Sequence, residues 1–295
     1  MEHIKEIPVW MKVIKHQKRE ESGAINTPTA TKITTRKIHI SSSFLGKDML
    51  VKLYLPPNFN DGDFEVYPLL LFNDGQEMEA IHLQQTLERF YESDEMLPIV
   101  AAGIFPQNRM GEYGTAGTLD YKGRGHLAEK YTRFIVEELL PYLQENYQTT
   151  TQAELRAFAG FSLGGLSAMD IVWKQAHHFG QVGVFSGSLW WRSKVSTPDD
   201  PDANRIMHDT LLASDLTGKK HLRFWFQAGT KDEEEDRNNN GVIDAIDDTM
   251  HVIGILKYIG FEDDAIQYTE VTDGKHHPST WKEVLPNFLL WAFGD

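Results

Sequence analysis

A serine placed between two glycines most constrains what this chain of 295 residues can fold into. The run from Ala157 to Gly165 reads Ala-Phe-Ala-Gly-Phe-Ser-Leu-Gly-Gly, and a segment that suits a helix follows it. This order is typical of a nucleophile elbow, in which a strand ends, the chain turns sharply and a helix begins with the serine at the apex. Glycine is needed on both sides, because a Cβ would meet neighbouring backbone in so tight a turn. The pattern predicts an exposed Ser162 hydroxyl at the start of a helix.

Apolar segments that suit buried strands alternate with helical segments over most of the chain. The predicted strands cover residues 32–39, 50–54, 67–72, 97–105, 155–159, 181–185, 222–228 and 266–271. The predicted helices cover residues 76–93, 127–147, 163–174, 249–259 and 281–292. This alternation predicts an α/β fold of the α/β-hydrolase type, with a mostly parallel central sheet and helices on both faces.

No repeat or linker divides residues 31–295, so we predict one catalytic domain there. Residues 1–30 are polar and charged, and we interpret them as an N-terminal arm or extension. They lack the apolar core of a secretory signal, which favours a cytoplasmic location. A periplasmic or secreted location stays open if a signal has been removed.

The charge balance narrows the possible partners. The net charge is −14, which argues against nucleic acid and anionic membranes. The chain has no cysteine, which excludes disulfides, thiolate catalysis and thiolate metal sites. A small molecule is therefore the expected partner, and the oligomeric state stays open.

Two later loops supply partners for Ser162. In an open parallel sheet the site lies at the carboxyl ends of the strands. The strand at 222–228 is followed by a loop with Asp232, and the strand at 266–271 by a loop with His276. We assign Ser162 as the nucleophile, His276 as the general base and then acid, and Asp232 as the group that holds the imidazolium.

Other residues in the same loops are alternatives. His277 competes with His276 as the base, and Glu233, Glu234 and Asp273 compete with Asp232 as the acid.

The oxyanion that forms in acyl transfer also needs donors. We expect one from the N–H of Leu163 and the other from the loop after the strand at 67–72, from Gln76 or Gly75.

Three residues in loops at the same edge are candidates for substrate binding. Trp190 and Trp191 could line an acyl or sugar pocket, and the alternative is that one of them packs into the core. Arg109 could contact the substrate or form a structural ion pair with a carboxylate.

Residues 236–247 match a twelve-residue calcium loop, with glycine at its sixth position. The predicted ligands are Asp236, Asn238, Asn240, the carbonyl of Val242, Asp244 and Asp247. Asp248 is an alternative to Asp247 as the last ligand. A structural Ca²⁺ is the expected cofactor, and no organic cofactor is implied.

The chain resembles the esterase D and enterochelin esterase group of α/β-hydrolases from about residue 34 onward. The segments that carry the resemblance are 51–59, 69–75, 109–113, 134–142, the elbow, 186–191, 229–232 and 274–276 with Trp281. The resemblance implies a serine esterase with His276 as base and Asp232 as acid. The group often has a second glycine before its histidine, where this chain has Lys275, and it does not supply the calcium loop.

We therefore expect a serine esterase that hydrolyses a carboxylic ester through an acyl-enzyme on Ser162. Two alternatives stay open at this point. One is an acyltransferase that uses the same three residues, and the other is a non-catalytic, calcium-dependent binding module.

Overall fold

A computed structural model describes residues 32–60 and 66–294. The predicted arm at residues 1–30 lies outside the described residues, so that part of the domain prediction stays a prediction. Among the described residues, no helix has the length and apolar character that crossing a bilayer requires.

Within the described ranges, eight strands form one sheet. They are β1 (Thr34–Ser42), β2 (Lys47–Leu55), β3 (Leu69–Phe72), β4 (Val100–Ile104), β5 (Arg156–Phe161), β6 (Gln181–Phe185), β7 (Arg223–Lys231) and β8 (Ile266–Lys275). Their order in the sheet is β1-β2-β4-β3-β5-β6-β7-β8. The β1–β2 and β2–β4 pairs are antiparallel, and every pair from β4 to β8 is parallel. The predicted mostly parallel α/β sheet is confirmed.

Helices follow the strands along the chain. They are α1 (Leu83–Ser93), α2 (Arg109–Glu112), α3 (Ala128–Arg133), α4 (Leu140–Tyr147), α5 (Leu163–Lys174), α6 (Ile206–Ala213), α7 (Asp244–Tyr258) and α8 (Pro278–Phe293). A π-helical segment, Phe134–Leu139, joins α3 to α4. Single 3₁₀ turns lie at Gly75–Glu77, Ala153–Leu155 and Asp263–Ala265.

The two faces of the sheet pack against different helices. In β3, Leu69 and Leu71 join a core with α3, α4, α5 and α7, whereas Leu70 and Phe72 join a second core with α1 and α8. This two-residue alternation follows from the pleat of a strand, which points successive side chains to opposite faces. Because both faces are covered, β3, β4, β5 and β6 are buried along their whole length.

Three predicted helices differ in their details. The helix expected at 76–93 is a 3₁₀ turn followed by α1, because His82 adopts a left-handed φ of 56° at the break. The helix expected at 127–147 contains the π-helical segment just before Pro141, a residue without the N–H that a regular α-helix uses. Helix α7 begins five residues before the predicted start at 249, since its first turn belongs to the segment interpreted as a calcium loop.

Candidate active site

The elbow lies between β5 and α5, near the middle of the sheet. Ser162 has φ 55° and ψ −123°, which non-glycine residues rarely adopt. A Cβ on Gly160 would lie 2.4 Å from the carbonyl oxygen of Gly164, and one on Gly164 would lie 2.5 Å from Oδ2 of Asp74. Crowding therefore requires glycine at both positions, by backbone at Gly160 as predicted and by the Asp74 side chain at Gly164.

A pocket of about 350 Å³ opens over the serine. It is lined by Ser162, Ser186, Gly187, Ser188, Trp190, Asp232, Glu233, Ala245 and His276. The structure thus brings Ser162, Asp232 and His276 to one place, although they lie in three distant parts of the sequence. Ser162 Oγ lies 3.2 Å from Ser188 Oγ, a neighbour that the sequence did not predict.

Asp232 lies just after β7, and one of its two carboxylate oxygens accepts a hydrogen bond. Its Oδ2 accepts the N–H of Gly229 at 2.9 Å, and its Oδ1 is buried without a hydrogen-bond partner among the described residues. Burial raises the pKa of Asp232, and the N–H of Gly229, the hydroxyl of Ser186 and the charge of His276 oppose this shift. An imidazolium at His276 would therefore stabilise the ionised carboxylate.

The alternative acids lie in different environments. Glu234 is exposed and outside the pocket, and Asp273 is exposed and pairs with Lys231 at 2.6 Å. Glu233 does line the pocket, but its charge interactions are with Asp244, Glu235 and Asp248 rather than with His276. Position and electrostatics both favour Asp232 as the partner of the imidazole.

His276 packs edge-on against Trp281, with 5.6 Å between the ring centroids. His276 is exposed as a whole residue, and desolvation of its ring lowers the pKa of His276, while the charge of Asp232 opposes this shift and the charge of Arg109 adds to it. The neutral imidazole, which can accept a proton, is therefore favoured. His277 instead caps α8 by accepting the N–H of Ser279 at 3.2 Å, and it does not line the pocket.

The predicted oxyanion donors lie at two helical starts. Leu163 is the first residue of α5, and Gln76 is in the 3₁₀ turn after β3. The side chain of Gln76 donates to Oδ1 of Asp74 at 3.1 Å. A Cβ on Gly75 would lie 2.6 Å from the carbonyl carbon of Gly103, so this turn is pressed against β4.

Arg109 forms the ion pair that was its alternative role. Its Nε and Nη2 donate to the two carboxylate oxygens of Asp74 at 2.8 and 2.9 Å, and Nη2 also reaches the carbonyl of Phe161 at 3.2 Å. Asn73 donates to the carbonyl of Gly164 at 2.8 Å. The loop after β3 is therefore tied to the elbow on both sides of Ser162.

Asn73 and Asp74 had no predicted role, although both lie in the segment 69–75 that carries the family resemblance. The signal that could have singled them out is the position of two adjacent polar residues at the end of a buried strand. Asp74 has a left-handed φ of 58° and is 2% exposed. Because a buried carboxylate needs a charged partner, the two hydrogen bonds from Arg109 stabilise it.

The two tryptophans have different positions. Trp190 lines the pocket, whereas Trp191 is 1% exposed and packs against Gly114, with the guanidinium of Arg124 4.5 Å from its ring centroid. Trp191 is therefore the tryptophan that packs into the core, which was the alternative to substrate binding.

The segment 236–247 is organised by hydrogen bonds. The carboxylate of Asp236 accepts the N–H groups of Asn240 and Gly241 at 3.1 and 2.9 Å. The side-chain amides of Asn238 and Asn240 donate to Asp247 at 3.0 and 3.1 Å.

Two other residues of this segment that were predicted to bind Ca²⁺ have different surroundings. Asp244 accepts the N–H of Arg237 at 3.0 Å, and Val242 is exposed. Asp248, the alternative last ligand, is 1% exposed and is bound by Arg205 and Arg237, so it lies outside this group.

Among the described residues, one group of three metal-ligand side chains has ligand atoms within 4.8 Å of one another: His208, Asp248 and His251. Arg205 and Arg237 both donate to Asp248, and Nη1 of Arg205 lies 2.9 Å from Nδ1 of His251. Two guanidinium groups already bring positive charge to Asp248 and His251, so this cluster does not suit a cation.

Comparison with known proteins gives one family. The model of an esterase family, described as "Putative esterase", matches residues 42–292, which is most of the chain. The uncharacterized protein YbbA of Bacillus subtilis (strain 168) is 26% identical over 249 residues, which cover 82% of this chain and 91% of that protein. An endo-1,4-beta-xylanase/feruloyl esterase of Xylanibacter ruminicola is 24% identical over 166 residues, which cover 53% of this chain and 22% of that protein.

Solved structures share the fold. A ferulic acid esterase superposes with a TM-score of 0.67 at 18% identity, covering 88% of this chain and 98% of its own. The enterochelin esterase of Shigella flexneri superposes with a TM-score of 0.68 at 21% identity, covering 90% of this chain and 59% of its own.

The backbone strain at Ser162 can be measured by substitution. At a φ of 55° glycine is less strained than alanine, so we expect Ser162→Gly to be more stable than Ser162→Ala by about 1 kcal/mol. Ser167, in the middle of α5, is the matched control, where glycine should be less stable than alanine by about 1 kcal/mol. Urea unfolding of the four variants gives both differences, and the same sign at both positions would contradict the strained turn.

Proposed function

This chain belongs to the esterase family, and we propose that within it the protein hydrolyses a carboxylic ester through an acyl-enzyme on Ser162. The observation that supports this most is the meeting of Ser162, Asp232 and His276 in one pocket. The strained backbone of Ser162 and the lowered pKa of His276 are further support, since each suits a nucleophile beside its base.

In the first half of the proposed reaction, Ser162 Oγ attacks the ester carbonyl carbon while His276 takes the hydroxyl proton. The oxyanion is held by the N–H of Leu163 at the start of α5 and by the N–H of Gln76. Asp232 stabilises the imidazolium, because its partnerless Oδ1 gains a donor. Collapse of the intermediate breaks the bond to the alcohol, which leaves with the proton from His276.

In the second half, water attacks the acyl-enzyme. His276 takes a proton from that water, a second oxyanion forms in the same place, and its collapse returns the proton to Ser162 Oγ. The carboxylic acid product then leaves as its anion. The surplus of negative charge on the protein favours release of that anion.

The nucleophile is tested with short-chain p-nitrophenyl esters and a fluorophosphonate probe. We expect Ser162→Ala to lower kcat by at least about 10³-fold and to abolish labelling, because the hydroxyl that attacks the ester is removed. Ser167→Ala, at a buried serine inside α5 and outside the pocket, should keep both activities. Unchanged turnover in Ser162→Ala would refute the assignment.

The pH dependence follows from the environment of His276. The base must be neutral, and desolvation of its ring together with the charge of Arg109 lowers its pKa below the ordinary 6.5. We therefore expect kcat/KM to rise with pH and to level off, with a midpoint below 6.5. Arg109→Gln should move the midpoint upward, whereas Arg89→Gln, an exposed arginine, should not. A wild-type midpoint above 6.5 would contradict this environment.

We also propose that residues 236–247 bind Ca²⁺. The residues suit this ion, because carboxylate and amide oxygens are the ligands that it prefers and Asn240 is hydrogen-bonded to both Asp236 and Asp247. Asp236, Asn238, Asn240, Asp244, Asp247 and the carbonyl of Val242 would hold it. The ion would neutralise carboxylates that otherwise repel one another, at the start of the helix that follows the Asp232 loop.

Calorimetric melting tests this binding without an activity assay. We expect Ca²⁺ to raise the Tm by several degrees relative to EGTA, since a ligand that binds only the folded state stabilises it. Asp236→Asn should weaken the response, and Asp264→Asn, an exposed aspartate outside the segment, should leave it unchanged. Identical melting curves with Ca²⁺ and with EGTA would reject the site.

A further inference from the structure

Glu233 is the ionisable pocket side chain that the proposed reaction does not use. It lines the pocket together with Ser162, Trp190 and His276. Its Oε1 is buried and has no hydrogen-bond partner among the described residues. A buried acceptor without a donor is unfavourable, so its presence beside the nucleophile suggests that a ligand satisfies this carboxyl group.

The charged groups that shift the pKa of Glu233 are carboxylates, and two of them, Asp244 and Asp248, pair with Arg237. Burial raises the pKa of Glu233 to about 7, the charges of Asp244 and Glu235 add to the shift, the N–H of Ala245 opposes it, and the charge of Asp248 adds a smaller part. A positive group in the pocket would remove this penalty by pairing with the ionised carboxylate.

Three arginines that interact with residues of this region already pair with other carboxylates. Arg109 pairs with Asp74. Arg124 pairs with Asp120, and its guanidinium carbon also lies 5.6 Å from the ring centroid of Trp190. Arg237 pairs with Asp202, Asp244 and Asp248. Among the described residues, no salt bridge involves Glu233, which leaves it available to a positive group from outside the protein.

Trp190 supplies the second part of a cation site. Its indole lines the same pocket as Glu233, and an aromatic face attracts a cation that has been removed from water. A carboxylate and an aromatic ring that line one pocket are therefore suited to a substituted ammonium group, which gains charge pairing from one side chain and ring contact from the other.

We propose that Glu233 and Trp190 bind a positively charged ammonium group on the ester substrate, so that the enzyme prefers cationic esters to neutral ones of the same shape. This inference rests on the proposed esterase function and defines the substrate class of the same site. Glu233 acts here in substrate recognition, whereas proton transfer remains with His276.

Two pairs of esters that differ in charge but not in shape test the preference on both sides of the carbonyl. p-Nitrophenyl 3-aminopropanoate is compared with p-nitrophenyl butanoate, and acetylcholine with 3,3-dimethylbutyl acetate. We expect wild type to favour the cationic member of at least one pair by about tenfold in kcat/KM, the effect of one charge-assisted contact. Equal rates within both pairs would overturn the inference.

Variants separate recognition from a structural effect. Glu233→Gln should abolish the preference by raising KM for the cationic ester alone, with the neutral ester unaffected. Glu234→Gln, which removes the same charge from the exposed neighbour, should keep the preference. A Glu233→Gln enzyme that still prefers the cationic ester would also overturn the inference.

One measurement does not depend on how the variants fold. Trimethylpropylammonium chloride should inhibit wild type competitively, and sodium chloride at the same ionic strength should not. Absence of this inhibition would overturn the inference.

If wild type hydrolyses neutral esters through Ser162 without any charge preference, the esterase proposal stands and only this inference fails. If it neither hydrolyses esters nor reacts with the fluorophosphonate, the esterase proposal itself fails.

Discussion

The close approach of β5 to the start of α5 is the constraint on which the rest of the site depends. Gly160 lies against the backbone of Gly164, and Gly164 lies against the side chain of Asp74, so neither position has room for a side chain. Ser162 stands between these two glycines in a strained conformation. The strain persists because surrounding bonds overdetermine it. Arg109 holds the carbonyl just before Ser162 and both oxygens of Asp74, so β3 and β5 position the serine together.

The pocket above the serine contains two neighbouring carboxyl groups in different surroundings. Asp232 is held by the N–H of Gly229 and interacts with His276, whereas Glu233 interacts with the carboxylates that follow it. Adjacent acidic residues can therefore take different roles, because different groups surround each carboxylate. One suits stabilisation of an imidazolium, and the other suits contact with a ligand.

Much of the fold was predictable, since buried parallel strands and amphipathic helices leave strong patterns in sequence. The breaks within helices were not predicted, because the left-handed turn at His82 and the π-helical segment before Pro141 depend on a few backbone angles. Short helices such as α2 and α6 were missed for a related reason. They have too few turns to show the helical spacing of apolar residues in the sequence.

The sequence by itself determined the fold class, the elbow and the order of Ser162, Asp232 and His276, because glycine sterics and strand-end positions act locally. Only the tertiary structure decided which of Trp190 and Trp191 faces the pocket, and that Arg109 binds Asp74. It also decided that Asp232 and Glu233 have different surroundings. Direction and burial of a side chain depend on what distant segments pack against it, and one sequence does not contain that information in any local pattern.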